Sequence, residues 1–321
     1  MGADSGRRIT SHGLYADIRG DPGAPALLFL HGGPGQGCHD FMAVQGELLS
    51  RSVRLIGLDQ RGVDRSAPLP EDASLTIADL VADLEAVRAG LGIDRWVVLG
   101  QSFGGALALR YAAAHPAAVA AVAFENPVWD LAASAAAALR RVALMLTERG
   151  RQEAALTALA AAGRERDARA LRAAYVAALE ALGADREAFF VPSPATRARL
   201  AEIRRSRERR DGAAGDDGSW RHHQAISADP GAYEPLLGLL PLLAAPALLI
   251  TGGYDPLTTA GQRDAFRRAS PRNQLQEVPG AGHFVHADDP LHYASIVADF
   301  ARSRAGELSG PGAARPRATG S

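Results

Sequence analysis

The segment Gly100-Gln101-Ser102-Phe103-Gly104 restricts the possible folds of this chain more than any other feature. It follows an apolar run at residues 96–99 and leads into a helical pattern that continues to residue 114. A strand that turns this sharply into a helix leaves no room for a Cβ at either flank, which explains the two glycines. Ser102 is then held above the sheet with its hydroxyl exposed, and is a candidate nucleophile.

Short apolar runs alternate with helical periodicity on both sides of this segment. The predicted strands are residues 53–58, 96–99, 119–124, 247–251 and 274–278, and the predicted helices are 76–91, 104–114, 259–269 and 290–302. Thr76 and Asp79 form a capping-box pattern at the start of the first of these helices. Such alternation predicts an α/β fold with a mostly parallel sheet flanked by helices.

Two further segments complete the predicted organisation. Residues 13–30 contain two strand-like stretches around the turn cluster at residues 20–23, which predicts an antiparallel hairpin at the edge of the sheet. Strand signals vanish over residues 127–240, which we interpret as an inserted helical cap domain between the core segments 1–126 and 241–303. Residues 304–321 are rich in Gly, Pro, Ala and Arg without periodicity and are predicted to be a disordered tail.

A serine hydroxyl needs a base, and the base needs an orienting acid. Asp255 follows the predicted strand 247–251, and His283 follows the strand 274–278 within a glycine-rich loop, so these two are the predicted acid and base. His286, three residues further on, is an alternative base. Glu125, at the end of the strand 119–124, is an alternative acid.

A second glycine-rich segment, His31-Gly32-Gly33-Pro34-Gly35, follows the apolar run 26–30. The backbone N–H groups of Gly33 and Phe103 are the predicted oxyanion-hole donors. Phosphate binding is disfavoured because no lysine follows and the spacing is not that of a P-loop. We expect His31 to brace this segment, with proton transfer as the alternative.

Composition excludes several function classes. The net charge is −1 and every one of the 35 Lys-or-Arg positions is Arg, so no overall field favours nucleic acid or a membrane surface.

The N-terminus lacks the apolar run of a signal peptide, and the single Cys38 cannot form an internal disulfide, so we expect a cytoplasmic protein. A catalytic role for Cys38 is an open alternative. Adjacent His222 and His223 do not make a metal pair, and we expect neither metal nor cofactor.

The ordered motifs together resemble the proline iminopeptidase branch of the α/β-hydrolase superfamily. The motifs that carry the resemblance are His31 to Gly35, Asp59-Gln60-Arg61-Gly62 with Arg65-Ser66, the serine pentapeptide, Tyr254-Asp255 and Gly282-His283. It covers the core from about Leu14 to Phe300 but not the insertion. Asp64, Phe103 and Gly253 stand where the branch usually has Gly, Trp and Arg.

The resemblance implies a serine hydrolase that releases an N-terminal amino acid, often proline, from a short peptide or small amide through an acyl-enzyme. Carboxylates that hold the substrate's ammonium are then needed, and Glu125, Asp130 and Glu234 are the candidates. The alternatives are a carboxylesterase or lactonase, possibly acting on a secondary metabolite, and a non-catalytic binding module. The sequence does not determine the oligomeric state.

Two stretches of the insertion have open interpretations. The apolar stretch 131–146 either lines a substrate channel or only docks the insertion on the core. The arginine-rich run 197–210 is typical of a solvated, self-paired helix surface, with anion binding as the alternative.

Overall fold

The computed structural model describes residues 7–8, 13–211 and 215–306, with side chains over 13–209 and 218–304. Its strands form one eight-stranded sheet in the order β1-β2-β4-β3-β5-β6-β7-β8. The strands are β1 Arg7–Arg8, β2 Tyr15–Arg19, β3 Ala26–Leu30, β4 Arg54–Asp59, β5 Trp96–Gln101, β6 Val119–Glu125, β7 Ala247–Gly252 and β8 Gln274–Val278. All neighbours from β4 to β8 pair in parallel, whereas β1 and β2 pair antiparallel to their neighbours.

Helices cover both faces of this sheet. They are α1 His39–Leu49, α2 Ile77–Gly90, α3 Phe103–Ala114, α4 Leu131–Glu148, α5 Gln152–Arg164, α6 Ala168–Ala181, α7 Arg186–Phe190, α8 Pro194–Asp211, α9 Gly215–Ala228, α10 Ala260–Ala269, α11 Val285–Asp288 and α12 Pro290–Gly306. Alternate residues of β3 face opposite sides: Leu28 packs in a core with α2, α3 and α10, and Phe29 in a second core with α1 and α12. This two-sided burial explains the continuous apolar runs of the central strands.

The predicted hairpin is wrong, although both of its strands exist. β4 lies between β2 and β3, pairing antiparallel with the first and parallel with the second. The connection from β2 to β3 passes the start of β4, since a Cβ on Gly20, whose φ is +96°, would overlap the carbonyl oxygen of Val53. The turn residues therefore change the chain's direction without pairing the strands that they join.

The other predicted core elements lie within a few residues of their positions in the structure. Thr76 caps α2 in the predicted box, since it accepts a hydrogen bond from the Asp79 backbone N–H while the Asp79 carboxylate accepts one from the Thr76 N–H. Helix α1 was not predicted from the sequence. α12 continues to Gly306, so the first residues of the predicted disordered tail are helical, and residues 307–321 lie outside the described part of the chain.

The insertion between β6 and β7 is helical where the structure describes it, and has its own apolar core. Leu139 and Leu146 of α4 pack in that core with residues of α5, α6 and α7. The start of α4 also borders a cavity described below, so the apolar stretch 131–146 both packs in the core of the insertion and contributes to a cavity wall. No helix in the described ranges is long and apolar enough to cross a membrane.

The arginine-rich helix α8 is only partly self-paired. Arg205 and Arg209 bind Glu202 on the exposed side, as the sequence pattern predicts. Arg204, by contrast, binds Asp40 of α1 at 2.8 Å, and Arg207 binds Asp64 at 3.0 Å. These two contacts join the insertion to the core, a role that the helical charge pattern cannot reveal.

Candidate active site

Ser102 occupies a strained turn between β5 and α3. Its φ of 53° and ψ of −118° lie outside the regions that residues with a side chain usually adopt. A Cβ on Gly100 would overlap the carbonyl oxygen of Gly104, and one on Gly104 would overlap that of Leu30. The Ser102 N–H donates to the Glu125 carbonyl oxygen at 2.9 Å, which ties the turn to the end of β6. The two glycines are thus required by backbone packing, as the pentapeptide predicts.

His283 and Asp255 are joined by a short hydrogen bond. Their Nδ1 and Oδ1 atoms lie 2.8 Å apart, and both side chains are almost completely buried. The other Asp255 oxygen accepts the Thr258 backbone N–H at 2.8 Å, which orients the carboxylate. An ionised carboxylate only accepts, so the proton of the neutral imidazole lies on Nδ1 and leaves Nε2 free to act as a base.

Ser102 and His283 line the same cavity, which has a volume of about 380 Å³. This volume is within the range of small-molecule sites. Its walls are mainly apolar, formed by α3, by α4, α6, α7 and α9 of the insertion, and by loop residues. Among its apolar lining residues are Phe103, Leu107, Trp129, Leu131, Tyr175 and Phe190.

The predicted oxyanion donors lie at this cavity. Gly33 and Phe103 both line it, and Gly33 has a φ of +116°, which favours glycine. Within the part of the chain that the structure describes, neither of their backbone N–H groups has a recorded hydrogen-bond acceptor. Two free N–H groups beside the serine are suited to stabilise an oxygen that gains negative charge.

His31 braces the first glycine-rich segment. Its Nδ1 lies 2.9 Å from the Gly32 carbonyl oxygen, while its Nε2 accepts the Gln60 backbone N–H at 3.1 Å. Burial lowers the pKa of His31, so the ring is neutral. With both nitrogens occupied and no place in the cavity lining, His31 fits the bracing role expected from the sequence and not proton transfer.

The Asp59-Gln60-Arg61-Gly62 motif supports the first glycine-rich segment. Burial disfavours ionisation of Asp59, but Arg65, at 2.8 Å, and hydrogen bonds from Cys38 together outweigh it and lower the pKa of the carboxyl group. Asp59 also accepts the Cys38 backbone N–H at 2.9 Å. Burial, together with the charge of Asp59, raises the pKa of the Cys38 thiol well above its usual value. Cys38 is therefore a buried neutral thiol and unsuited to be a nucleophile.

The alternative acid and base bind each other. His286 Nδ1 lies 2.9 Å from the Glu125 carboxylate, which also accepts the His286 N–H and the Tyr293 hydroxyl. Both side chains are buried and neither borders the cavity. Glu125 is consequently not placed to bind substrate, and this expectation from the sequence is wrong; the pair instead anchors α11 and α12 to the end of β6.

The other two predicted substrate-binding carboxylates differ in position. Asp130 accepts the Ala133 N–H as the N-cap of α4 and does not line the cavity, so its expected contact with substrate is also corrected. Glu234 does line the cavity, but its side chain is 66% exposed and lies 3.3 Å from Arg110. A carboxylate at the end of a loop caps helices as readily as it binds ligands, and the sequence alone does not distinguish the two.

Two residues that the sequence did not predict hold the loops that carry Asp255 and His283. The Asn126 side-chain amide donates to the carbonyl oxygens of Gly282 and His283, at 2.9 and 3.0 Å, while its oxygen accepts the Gly252 N–H at 3.1 Å. The His283 backbone N–H donates to the carbonyl oxygen of Phe190 in the insertion at 2.7 Å. The one sequence signal for this role of Asn126 is its position just after the end of a predicted strand.

Positive charge predominates in the cavity lining. Arg110, Arg172 and Arg186 border the cavity, whereas Glu234 is the one carboxylate among the described lining residues. His223 also lines it and accepts a hydrogen bond from Arg172 at 2.9 Å, since burial lowers its pKa and keeps the ring neutral. His222 instead binds the Arg61 carbonyl oxygen, and no metal-binding cluster occurs in the ranges that the structure describes.

Comparisons with known proteins agree with this architecture. Residues 25–290 match a family model described as the alpha/beta hydrolase fold. A proline iminopeptidase from Xylella fastidiosa is 45% identical over 106 residues, which cover 33% of each chain. The match thus spans a third of the length of this curated relative.

Solved structures extend the likeness to almost the whole chain. A proline iminopeptidase from Mycobacterium smegmatis has a TM-score of 0.69 at 23% identity, with 95% of this chain and 99% of that one covered. An enol-lactonase from Burkholderia xenovorans LB400 has a TM-score of 0.62 at 21% identity, with coverage of 92% and 98%. At such identities the likeness shows the fold alone. Because the family model matches most of its length, the chain belongs to the α/β-hydrolase fold family, and it resembles the proline iminopeptidase branch.

Proposed function

We propose that this α/β hydrolase cleaves the acyl bond of a small substrate through a covalent acyl-enzyme, with Ser102 as nucleophile, His283 as general base and Asp255 as the orienting acid. The observation that carries the proposal is the 2.8 Å bond between His283 Nδ1 and Asp255, made by a histidine that shares its cavity with the strained Ser102. A non-catalytic module has no need of a strained serine beside an oriented histidine.

In the proposed reaction, His283 Nε2 takes the proton of Ser102 Oγ as the oxygen attacks the substrate carbonyl carbon. The negative charge that develops on the carbonyl oxygen is stabilised by the N–H groups of Gly33 and Phe103. His283 then gives its proton to the leaving group as the bond breaks. Water, activated by the same histidine, hydrolyses the acyl-enzyme and regenerates Ser102. Asp255 stabilises the imidazolium that forms in each half of the cycle.

The first candidate substrate class is an aminoacyl amide or short peptide. It is supported by the similarity to proline iminopeptidases over a third of the chain and by Glu234, a carboxylate at the cavity that can accept an ammonium. In this candidate function, Glu234 leaves Arg110 and binds the free amine of the substrate.

The second candidate class is a carboxylic ester or lactone. A specific observation favours it, since Arg110 already neutralises Glu234 and the remaining charged lining residues are cations, which repel an ammonium. The apolar walls suit an acyl chain without a charged amine.

Matched chromogenic substrates test the proposal. We would compare 4-nitroanilides of alanine and proline with free and with acetylated amines, and 4-nitrophenyl butyrate, using wild type and Ser102→Ala. Turnover that Ser102→Ala abolishes supports the acyl-enzyme mechanism, and a requirement for the free amine identifies the first candidate. Turnover of the ester and the blocked amides alone identifies the second. Activity that survives in Ser102→Ala contradicts the mechanism.

A further inference from the structure

Two arginines in the wall of the cavity have no acidic partner among the side chains that the structure describes. Arg172 lies on α6 and Arg186 begins α7, and both border the cavity that contains Ser102 and His283. In the described part of the chain, neither guanidinium forms an ion pair with a carboxylate, whereas Arg204 and Arg207 of the same insertion each do. The insertion thus pairs some of its arginines and leaves these two available at the cavity.

Arg172 lies on the face of α6 that borders the cavity. Arg172, Tyr175, Val176 and Leu179 all line the cavity, and their spacing of three and four residues places them on one side of the helix. The bond from Arg172 to His223 uses one N–H of a guanidinium that has five. The remaining donors are therefore free to bind a ligand.

Tyr175 lines the same cavity as the two arginines. Burial raises the pKa of its hydroxyl, as does the charge of Asp255, while Arg186 and Arg172 act in the opposite direction. Both arginines and Tyr175 line the cavity that also contains Ser102 and His283. A charge held by these arginines therefore lies in the same cavity as the reacting atoms.

The charge balance of the lining selects the sign of the ligand. Arg110 and Glu234 offset each other, and His223 is neutral, which leaves Arg172 and Arg186 as the uncompensated charges. Apolar walls reduce the screening of those charges by water. A planar guanidinium can donate two parallel hydrogen bonds to a carboxylate. This pairing requires neither a metal nor a cofactor.

From these observations we infer that Arg172 and Arg186 bind a carboxylate of the substrate, so that the cavity is selective for acids over their neutral analogues. This inference rests on the proposed function because it concerns the same cavity, but one of its tests does not require turnover. The substrate class is a carboxylic acid, which differs from the amines of the first candidate class, and the specificity is assigned to two residues of the insertion.

Turnover of matched pairs tests this selectivity. In one set the acyl chain ends in a carboxylate, as in the 4-nitrophenyl monoesters of succinate, glutarate and adipate. Each is compared with the analogue in which a carboxamide replaces that carboxylate. In the other set the leaving group carries it, as 3-butyryloxybenzoate compared with 3-butyryloxybenzamide. We expect kcat/KM to be about tenfold or more higher for the acid in at least one set, as is typical of charge-assisted hydrogen bonds. The set that shows the preference locates the carboxylate.

Substitution assigns the preference to the two arginines. In Arg172→Gln with Arg186→Gln, the ratio of kcat/KM for acid over amide should fall towards one, whereas Arg141→Gln, which changes an exposed arginine outside the cavity, should keep the ratio of wild type. Equal turnover of acid and amide in both sets by wild type overturns the inference. A ratio that the double variant leaves unchanged overturns it as well.

A binding measurement separates this inference from the catalytic proposal. Glutaric acid monoanilide and the corresponding carboxamide can be titrated into Ser102→Ala by calorimetry, with and without the two arginine substitutions. Tighter binding of the acid that disappears with the substitutions supports the carboxylate site even if no substrate is turned over. Equal affinities for acid and amide refute it even if the catalytic proposal holds.

Discussion

At the scale of single residues, the bond between Asp255 and His283 determines which nitrogen of His283 is free to act as the proposed base. Replacing Asp255 with Asn allows an amide N–H to donate a hydrogen bond where the carboxylate accepted one, which stabilises the wrong tautomer of His283. We expect Asp255→Asn to lower kcat by a factor on the order of 10³ to 10⁴ while the midpoint of unfolding changes little.

The matched control for this prediction is Asp264→Asn, because Asp264 is an exposed acid on α10 and pairs, among the described side chains, with Arg267 alone. Steady-state kinetics and urea denaturation measure the two effects. Unchanged kcat in Asp255→Asn would remove Asp255 from the proposed mechanism and reopen the choice of acid.

Gly104 is a second residue whose role can be tested alone. An added Cβ would overlap the Leu30 carbonyl oxygen, which is backbone and cannot move aside without distorting β3. We expect Gly104→Ala to lose several kcal/mol of stability, as overpacking against fixed atoms does, and to lose activity with it.

Gly163 provides the comparison for this variant, because it lies in α5 with open space around the position of a Cβ. Gly163→Ala should leave stability unchanged or raise it by up to about 1 kcal/mol. Chemical denaturation of both variants tests the prediction, which fails if the two midpoints shift alike.

At the scale of secondary-structure elements, the end of β6 organises the loops that follow β7 and β8. Asn126 bonds to both loops, and its φ of 41° is one that glycine also adopts readily. Asn126→Gly removes the amide without adding backbone strain. We expect kcat to fall by about 10- to 100-fold with a smaller change in KM, because His283 would lose its fixed position while the cavity wall stays in place.

The pH dependence of kcat distinguishes positioning by Asn126 from general support of the fold. Displacement of His283 from Asp255 should alter the pH profile of kcat, whereas a merely less stable enzyme keeps the profile of wild type. Asn273→Ala serves as the control, since the Asn273 amide bonds to the Phe266 carbonyl oxygen in a different part of the fold. A wild-type profile and kcat in Asn126→Gly would contradict the assignment.

At the scale of the whole molecule, Asp64 joins the core to the insertion through Arg207. Burial, and next the charge of Asp59, raise the pKa of Asp64 to about 7 and outweigh the opposing effect of Arg207. The folded protein therefore binds a proton at Asp64 that the unfolded chain releases near pH 4. The stability contributed by this group is present below pH 4 and is lost as the pH rises towards 7.

Asp64→Asn removes this titration. As the pH rises from 4 to 7, the free energy of unfolding of wild type should fall relative to that of the variant by up to about 1.4 kcal/mol per pH unit. Urea denaturation at several pH values measures it, and other titrating groups cancel in the difference. A difference that is constant with pH would show that Asp64 is ionised throughout this range.

Much of the core could be predicted from local patterns. Apolar runs located β4 to β8, and the capping box located α2, because these signals depend on residues close together in the chain. The turn at residues 20–23 misled the prediction of strand pairing. Pairing is decided by which strands bury the most apolar surface together, and β4, which arrives much later in the chain, displaces the expected hairpin.

By itself, the sequence determined the sharp turn that positions Ser102 and the order of the strands whose ends carry Asp255 and His283, because each depends on backbone constraints within a few residues. Only the tertiary structure decided that Glu125 binds His286 away from the cavity and that Asn126 connects two loops. It also decided that, among the side chains that the structure describes, Arg172 and Arg186 have no acidic partner at the cavity. These outcomes depend on side chains that are distant in the chain, and their pairing is settled by packing and by the cost of burying an unpaired charge.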